Sequence, residues 1–163
     1  MSHQYSIEEV FEIAINIEKH GTEFYNKLAE NTENEESKKL FVYLANEEKH
    51  HITLFTGMRD RLGKKLSSSF LDYWESELMG LYLKELAVVE VFPELDDMPK
   101  FLEQFKTEKD IIMYALGMEK SNILFFMEVL EAIGTENETE IKIIKDLINE
   151  EKKHIIQLCN LLK

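Results

Sequence analysis

The stretch Asn46-Glu47-Glu48-Lys49-His50-His51-Ile52 returns near the C-terminus as Asn149-Glu150-Glu151-Lys152-Lys153-His154-Ile155. Six of the seven positions are identical, at an offset of 103. Each copy contains Glu-x-x-His. On a helix, residues i and i+3 lie on one face, so a carboxylate and an imidazole point the same way. The arrangement occurs twice, in two helical segments. A single Glu-x-x-His arises easily by chance in an acidic helical chain. A pair with matched flanks is what a two-metal site in a helix bundle requires.

The rest of the chain agrees with helix. It has 163 residues, 44% hydrophobic and 31% charged, with only two prolines and six glycines. That length suits one domain spanning residues 1–163 with a sizeable core. Glu, Lys, Leu and Ile dominate over Val and Thr, which favours helix over sheet. The fold class is therefore all-α, a bundle of four long helices. The first opens at Ser6 with Glu9 as a capping box and runs to about Glu30. The second covers about Glu33 to Arg61 and stops before Gly63. Thr107 and Asp110 open the third, which ends near Gly134. Thr135 with Glu138 opens the fourth, which runs almost to Lys163.

Every segment carries a seam at spacing three and four. The seams are Ile7, Phe11, Ala14, Glu18, Gly21, Tyr25, Leu28; then Phe41, Leu44, Glu48, His51, Phe55, Met58, Leu62. The second half gives Ile112, Ala115, Glu119, Asn122, Phe126, Val129, Ile133; then Ile144, Leu147, Glu151, His154, Leu158, Leu161. Each seam is apolar except near its middle, where it holds a carboxylate. Glu18-Lys19 with Phe24-Tyr25 matches Glu119-Lys120 with Phe125-Phe126 at an offset of 101, so the halves read as a pseudo-repeat. About 45 residues separate helices two and three. With Phe70, Trp74, Leu78, Leu81 and Leu86 before Phe92-Pro93, they predict a long, partly helical crossover that sets two antiparallel pairs side by side.

Charge and cysteine usage exclude several functions. Net charge is −13 and no basic patch is visible, which argues against nucleic acid. The acidic balance suits solubility and attraction of cations. Cys159 is the one cysteine, so no internal disulfide and no CxxC centre can form. Neither a signal peptide nor a membrane span is visible, so the cytoplasm is the expected location.

Burying Glu18, Glu48, Glu119 and Glu151 together would cost several kcal/mol for each ionised group without a counter-charge. No Lys or Arg sits on the seams beside them. Two divalent cations would neutralise four glutamates, and His51 and His154 would add one nitrogen each. Carboxylate-bridged di-iron and di-manganese bundles use this ligand set. The mixed oxygen and nitrogen donors favour iron or manganese, with zinc as an alternative. Glu48 and Glu151 are the expected bridging ligands, and Glu18 and Glu119 the terminal ones. Glu47 and Glu150 either accept a hydrogen bond from a ligand His across the bundle or are solvated surface residues. Tyr25 places a hydroxyl near a ligand carboxylate, where its counterpart Phe126 has none. Gly21 either leaves space for an oxygen species or eases helix packing. His20 and His50 fall off the seams and read as surface residues, His3 lies in the N-terminal arm, and the seven methionines read as core filler.

The chain resembles the rubrerythrin branch of the ferritin-like superfamily. The residues carrying the resemblance are Ile17-Glu18 through Phe24-Tyr25, Glu47 to His51, Met118-Glu119-Lys120 through Phe125-Phe126, and Glu150 to His154. Tyr82-Leu83-Lys84-Glu85-Leu86 leading to Val91-Phe92-Pro93 is also similar to that family. The resemblance implies a ferritin-like four-helix bundle and a non-haem di-iron centre, two iron ions that react with hydrogen peroxide or dioxygen. It implies an oxidoreductase, with a ferroxidase or a non-catalytic metal-binding or sensing bundle as alternatives, and pairing into a homodimer. Two departures stand out. Rubrerythrins carry a rubredoxin domain that delivers electrons, and this chain lacks the cysteines for one, so an external electron-donor protein is expected. They also carry a further glutamate one turn after the third-helix ligand, where this chain has Asn122. An amide there can bond a bound water or peroxide but supplies no charge. No catalytic residue is expected beyond the metal ligands, with Tyr25 and Asn122 in support.

Overall fold

The computed structural model describes residues 7–62, 98–133 and 137–163. The predicted contributions of His3, Ser6, Gly63, the crossover residues Phe70 to Pro93, Gly134 and Thr135 lie outside the described residues. Five helices are described: α1 (Ile7–Asn31), α2 (Glu35–Leu62), α3 (Met98–Leu102), α4 (Glu108–Ile133) and α5 (Glu138–Asn160). No strand occurs among the described residues. Helix α1 pairs with α2 and α4 with α5, and the two pairs meet through α2 against α5 and α1 against α4.

The helix starts follow local chemistry. Acidic residues sit in the first turn of α1, α2, α4 and α5, where the helix dipole favours negative charge. The box predicted at Thr107 and Asp110 forms reciprocally. The Asp110 N–H donates to Thr107 Oγ1 at 3.2 Å, and the Thr107 N–H donates to Asp110 Oδ2 at 2.9 Å. Helix α2 starts later than its predicted Glu33 because Asn34 is the cap. Its Oδ1 accepts the N–H groups of Glu36 at 3.0 Å and Ser37 at 3.2 Å. Helix α5 starts at Glu138 behind Asn137, whose carboxamide instead donates to the Ile133 carbonyl at 2.7 Å and closes the end of α4.

The four seams face one interior. All their members are buried except Leu161, which is half-buried where the last helix ends at Asn160. The apolar members form two separate clusters. One gathers Phe11, Phe55, Met58, Phe126, Val129 and Ile144. The other gathers Phe24, Tyr25, Phe41, Ala115, Leu116 and Leu158. Along each of the four long helices the break between the clusters falls at the seam carboxylate. The fold thus stacks two apolar layers with one polar layer between them. Fully burying a side chain such as Phe55 contributes about 1.5–3 kcal/mol, so the outer layers provide the stability that the middle layer lacks. Among the described residues, no helix is long and apolar enough to cross a membrane.

Candidate metal centre

The middle layer is built from Glu18 on α1, Glu48 and His51 on α2, Glu119 on α4, and Glu151 and His154 on α5. All six side chains are at most 1% exposed. The structure brings together all six residues named from sequence. They form two groups that share two members. Glu18, Glu48, His51 and Glu151 can each place one donor atom within 4.8 Å of the others, and so can Glu48, Glu119, Glu151 and His154. Glu48 and Glu151, expected as bridges, are the shared members.

Around His51, Nδ1 lies 3.3 Å from Glu18 Oε2, 3.3 Å from Glu48 Oε2 and 3.0 Å from Glu151 Oε1. Yet Nδ1, both oxygens of Glu18 and Glu48, and Glu151 Oε1 make no hydrogen bond. The atoms are close but not aligned donor to acceptor. They face a common point rather than one another, as ligand atoms around a cation do. Buried polar groups without partners cost about 1–3 kcal/mol each, so a cluster of them signals a missing counter-charge. The residues present therefore fit a pair of divalent cations.

Without metal, protons substitute. Burial pushes the Glu18 carboxyl well above the carboxylate range, and neighbouring Glu48 adds to it. Burial and Glu151 act on Glu119 in the same direction. Burial disfavours the charged imidazoles, but the carboxylates outweigh it. Glu18, Glu151 and Glu48 raise His51, and Glu119 and Glu151 raise His154 to about 10. Glu151 moves the opposite way. Burial would raise it, but neighbouring Glu119, His154 and His51 lower it. Shared protons thus offset part of the carboxylate charge in the layer.

The surrounding residues divide into those that met their expectation and those that did not. Glu150 reaches across the bundle, its Oε2 lying 3.2 Å from His51 Nε2. Its repeat mate Glu47 does not do the same for His154. Burial first, and then the neighbouring Glu47 carboxylate on the same helix, push the Tyr43 hydroxyl up. Tyr43 itself sets its ring edge-on to His154, with centroids 6.3 Å apart at 90°. Sequence reading missed Tyr43, and its only signal was the i, i+4 spacing to Glu47. The Tyr25 hydroxyl donates to Glu119 Oε1, and burial pushes that hydroxyl well up. Gly21 faces Glu48 across the contact between α1 and α2. A methyl on it would lie 3.4 Å from Glu48 Cγ and 3.5 Å from Glu48 Cδ, an ordinary contact distance that leaves no room for a larger side chain. Asn122 is buried on α4 one turn beyond Glu119. His50 is exposed and His20 half-buried, and neither joins the layer.

Fold and layer together define a helix-bundle protein with a buried carboxylate–histidine cluster suited to two metals. Known proteins of that class are similar to this chain. The rubrerythrin family model matches residues 9–79, which hold most of α1, all of α2 and the first Glu-x-x-His. A solved structure from Thermotoga maritima, described as a candidate ferritin-like diiron-carboxylate protein, superposes with a TM-score of 0.70. It is 28% identical and covers 99% of this chain and 97% of its own. No curated protein sequence matched. The first half of the chain is thus similar to rubrerythrins, and the whole chain is similar in fold to that ferritin-like protein.

Proposed function

We propose that this chain is a di-iron protein that reduces hydrogen peroxide or dioxygen with electrons from a separate donor protein. The observation that supports it is the pair of four-residue groups sharing Glu48 and Glu151 in a fully buried layer. When bound there, an iron pair would supply the electrons for reducing the oxidant. Glu18, Glu48 and His51 with Glu151 would hold one ion, and Glu119 and His154 with the same shared carboxylates the other. Manganese and zinc suit the same donors.

The protein's own groups define the surroundings of that chemistry. Phe55 and Phe126, with ring centroids 4.9 Å apart, belong to the apolar layer on one side, and Phe24, Tyr25 and Phe41 to the layer on the other. Both exclude bulk water from the layer between them. Tyr25 holds a proton on Glu119 Oε1, the one hydroxyl among the described groups bonded to a seam carboxylate. Glu150 fixes the orientation of the His51 ring.

The test is metal analysis of protein grown with iron, followed by mixing the reduced protein with peroxide. About two metals per chain and rapid reoxidation are expected. Fewer than about one metal per chain, with peroxide consumption unchanged, would sink the reading. Two bound metals that peroxide leaves reduced would mark a non-catalytic binding protein instead.

A further inference from the structure

The two halves of the layer are related by the sequence repeat, yet they are not equivalent. Three independent contacts separate them. His51 Nε2 has Glu150 Oε2 at 3.2 Å, whereas His154 Nε2 is buried and has no hydrogen-bond partner among the described residues. On the His51 side every inward atom, from Glu18 Oε1 and Oε2 to Glu151 Oε1, is unbonded and available. On the His154 side two such atoms are already taken. Tyr25 donates to Glu119 Oε1, and His154 Nδ1 pairs with Glu151 Oε2 at 3.2 Å.

Each difference acts on cation affinity in the same direction. A carboxylate on the distal N–H of a histidine makes the imidazole a better donor and fixes its ring. An unbonded carboxylate offers both oxygens and its full charge. A carboxylate that already accepts a hydroxyl proton offers less of each, and an imidazole hydrogen-bonded to a neighbour must first give that bond up.

We infer that the two cation positions differ in affinity, with the one formed by Glu18, Glu48, His51 and Glu151 filling first and the one at Glu119 and His154 filling second. The inference rests on the proposed two-metal site but does not depend on which reaction that site performs. Its consequence is a protein that holds one ion firmly and exchanges the other.

Titration of chelator-stripped protein with Mn²⁺, followed by calorimetry and by the electron paramagnetic resonance of free Mn²⁺, tests it. Two resolved steps are expected. Glu150→Gln should weaken the first step by about 10–100-fold and leave the second within about twofold. Tyr25→Phe frees Glu119 Oε1 and should tighten the second step alone. Circular dichroism of both variants checks that the bundle is intact, and because the two act on opposite halves, either one alone still assigns a step. Two equal steps, or Glu150→Gln acting on the second, would overturn the inference while leaving the two-metal reading intact. Absence of any Mn²⁺ binding would overturn both.

Discussion

The apolar cluster around Phe55 and Phe126 and the carboxylate layer beside it are built on the same four seams but are held together differently. In the cluster, side chains satisfy one another by contact alone, and its aromatic and aliphatic members are fully buried. In the layer, the side chains are equally buried, yet the oxygens of Glu18 and Glu48 have no partner. The comparison teaches that burial stabilises one region and strains the other. The bundle carries the layer because apolar packing on both sides exceeds its cost. This is the expected shape of a site whose stabilising partner is a cation rather than another side chain.

The comparison can be broken most forcefully in the apolar cluster. Phe126→Ala should cost about 3–5 kcal/mol of unfolding free energy, read by denaturant titration in chelator. A loss of under about 1 kcal/mol would mean that this cluster does not hold the bundle. The layer should respond with the opposite sign. Glu18→Leu replaces a buried, unpartnered carboxyl by an apolar group of similar size. It should raise the stability of the metal-free protein by about 1–4 kcal/mol while lowering bound metal below two per chain. Simultaneous loss of stability would show that the layer is an ordinary polar network.

Protons sharpen the contrast further. In the metal-free layer His154 keeps its proton up to about pH 10, so any ion that takes its Nδ1 must displace that proton. Calorimetry in buffers of different ionisation enthalpy should show proton release on metal binding near neutral pH. Affinity should rise with pH until His154 titrates at about 10. Proton uptake, or no dependence on buffer, would contradict the exchange of protons for cations.

Gly21 marks the boundary between layer and packing. Gly21→Ala adds a methyl at ordinary contact distance from Glu48. It should gain up to about 1 kcal/mol of helix stability with metal content unchanged. Gly21→Leu should displace Glu48 and lose metal, and equal metal content in both variants would remove the assigned role. The smallest effect lies at the start of α4, far from both regions. The Thr107 hydroxyl and the Thr107 and Lys106 N–H groups hold Asp110 below its usual value of 3.8. A depressed carboxylate stabilises above the unfolded value and loses that contribution as pH falls through the folded one. The melting temperature of Asp110→Asn should therefore lie slightly below that of the parent at pH 6, and the gap should close near pH 2.

Much of the bundle was legible because its signals are local. Helix periodicity at spacing three and four needs only the chain itself, and the seams read from it are buried with the exception of Leu161. Helix ends were less legible where more than one cap was available. Asn34 and Asn137, rather than Glu33 and Thr135, stand immediately before the helices. An Asn side chain can close a helix from either end, and only the surrounding backbone decides which. The inward donors were legible because a repeated i, i+3 pair fixes direction on a helix. Their neighbours were not. Nothing in the repeat predicts that Glu150 crosses to His51 while His154 Nε2 has no such partner among the described residues.

The sequence by itself determined four amphipathic helices, the polar layer at the middle of each, and the six side chains that face inward there. Those properties follow from the 3.6-residue period, which relates neighbours on one helix without reference to any other. Tertiary structure alone decided which atoms of that layer are free and which are taken. The hydroxyl of Tyr25 on Glu119, the close approach of Gly21 to Glu48, and the carboxylate of Glu150 behind His51 all join different helices. Such contacts depend on the register and separation of packed helices, quantities that no single helical segment encodes.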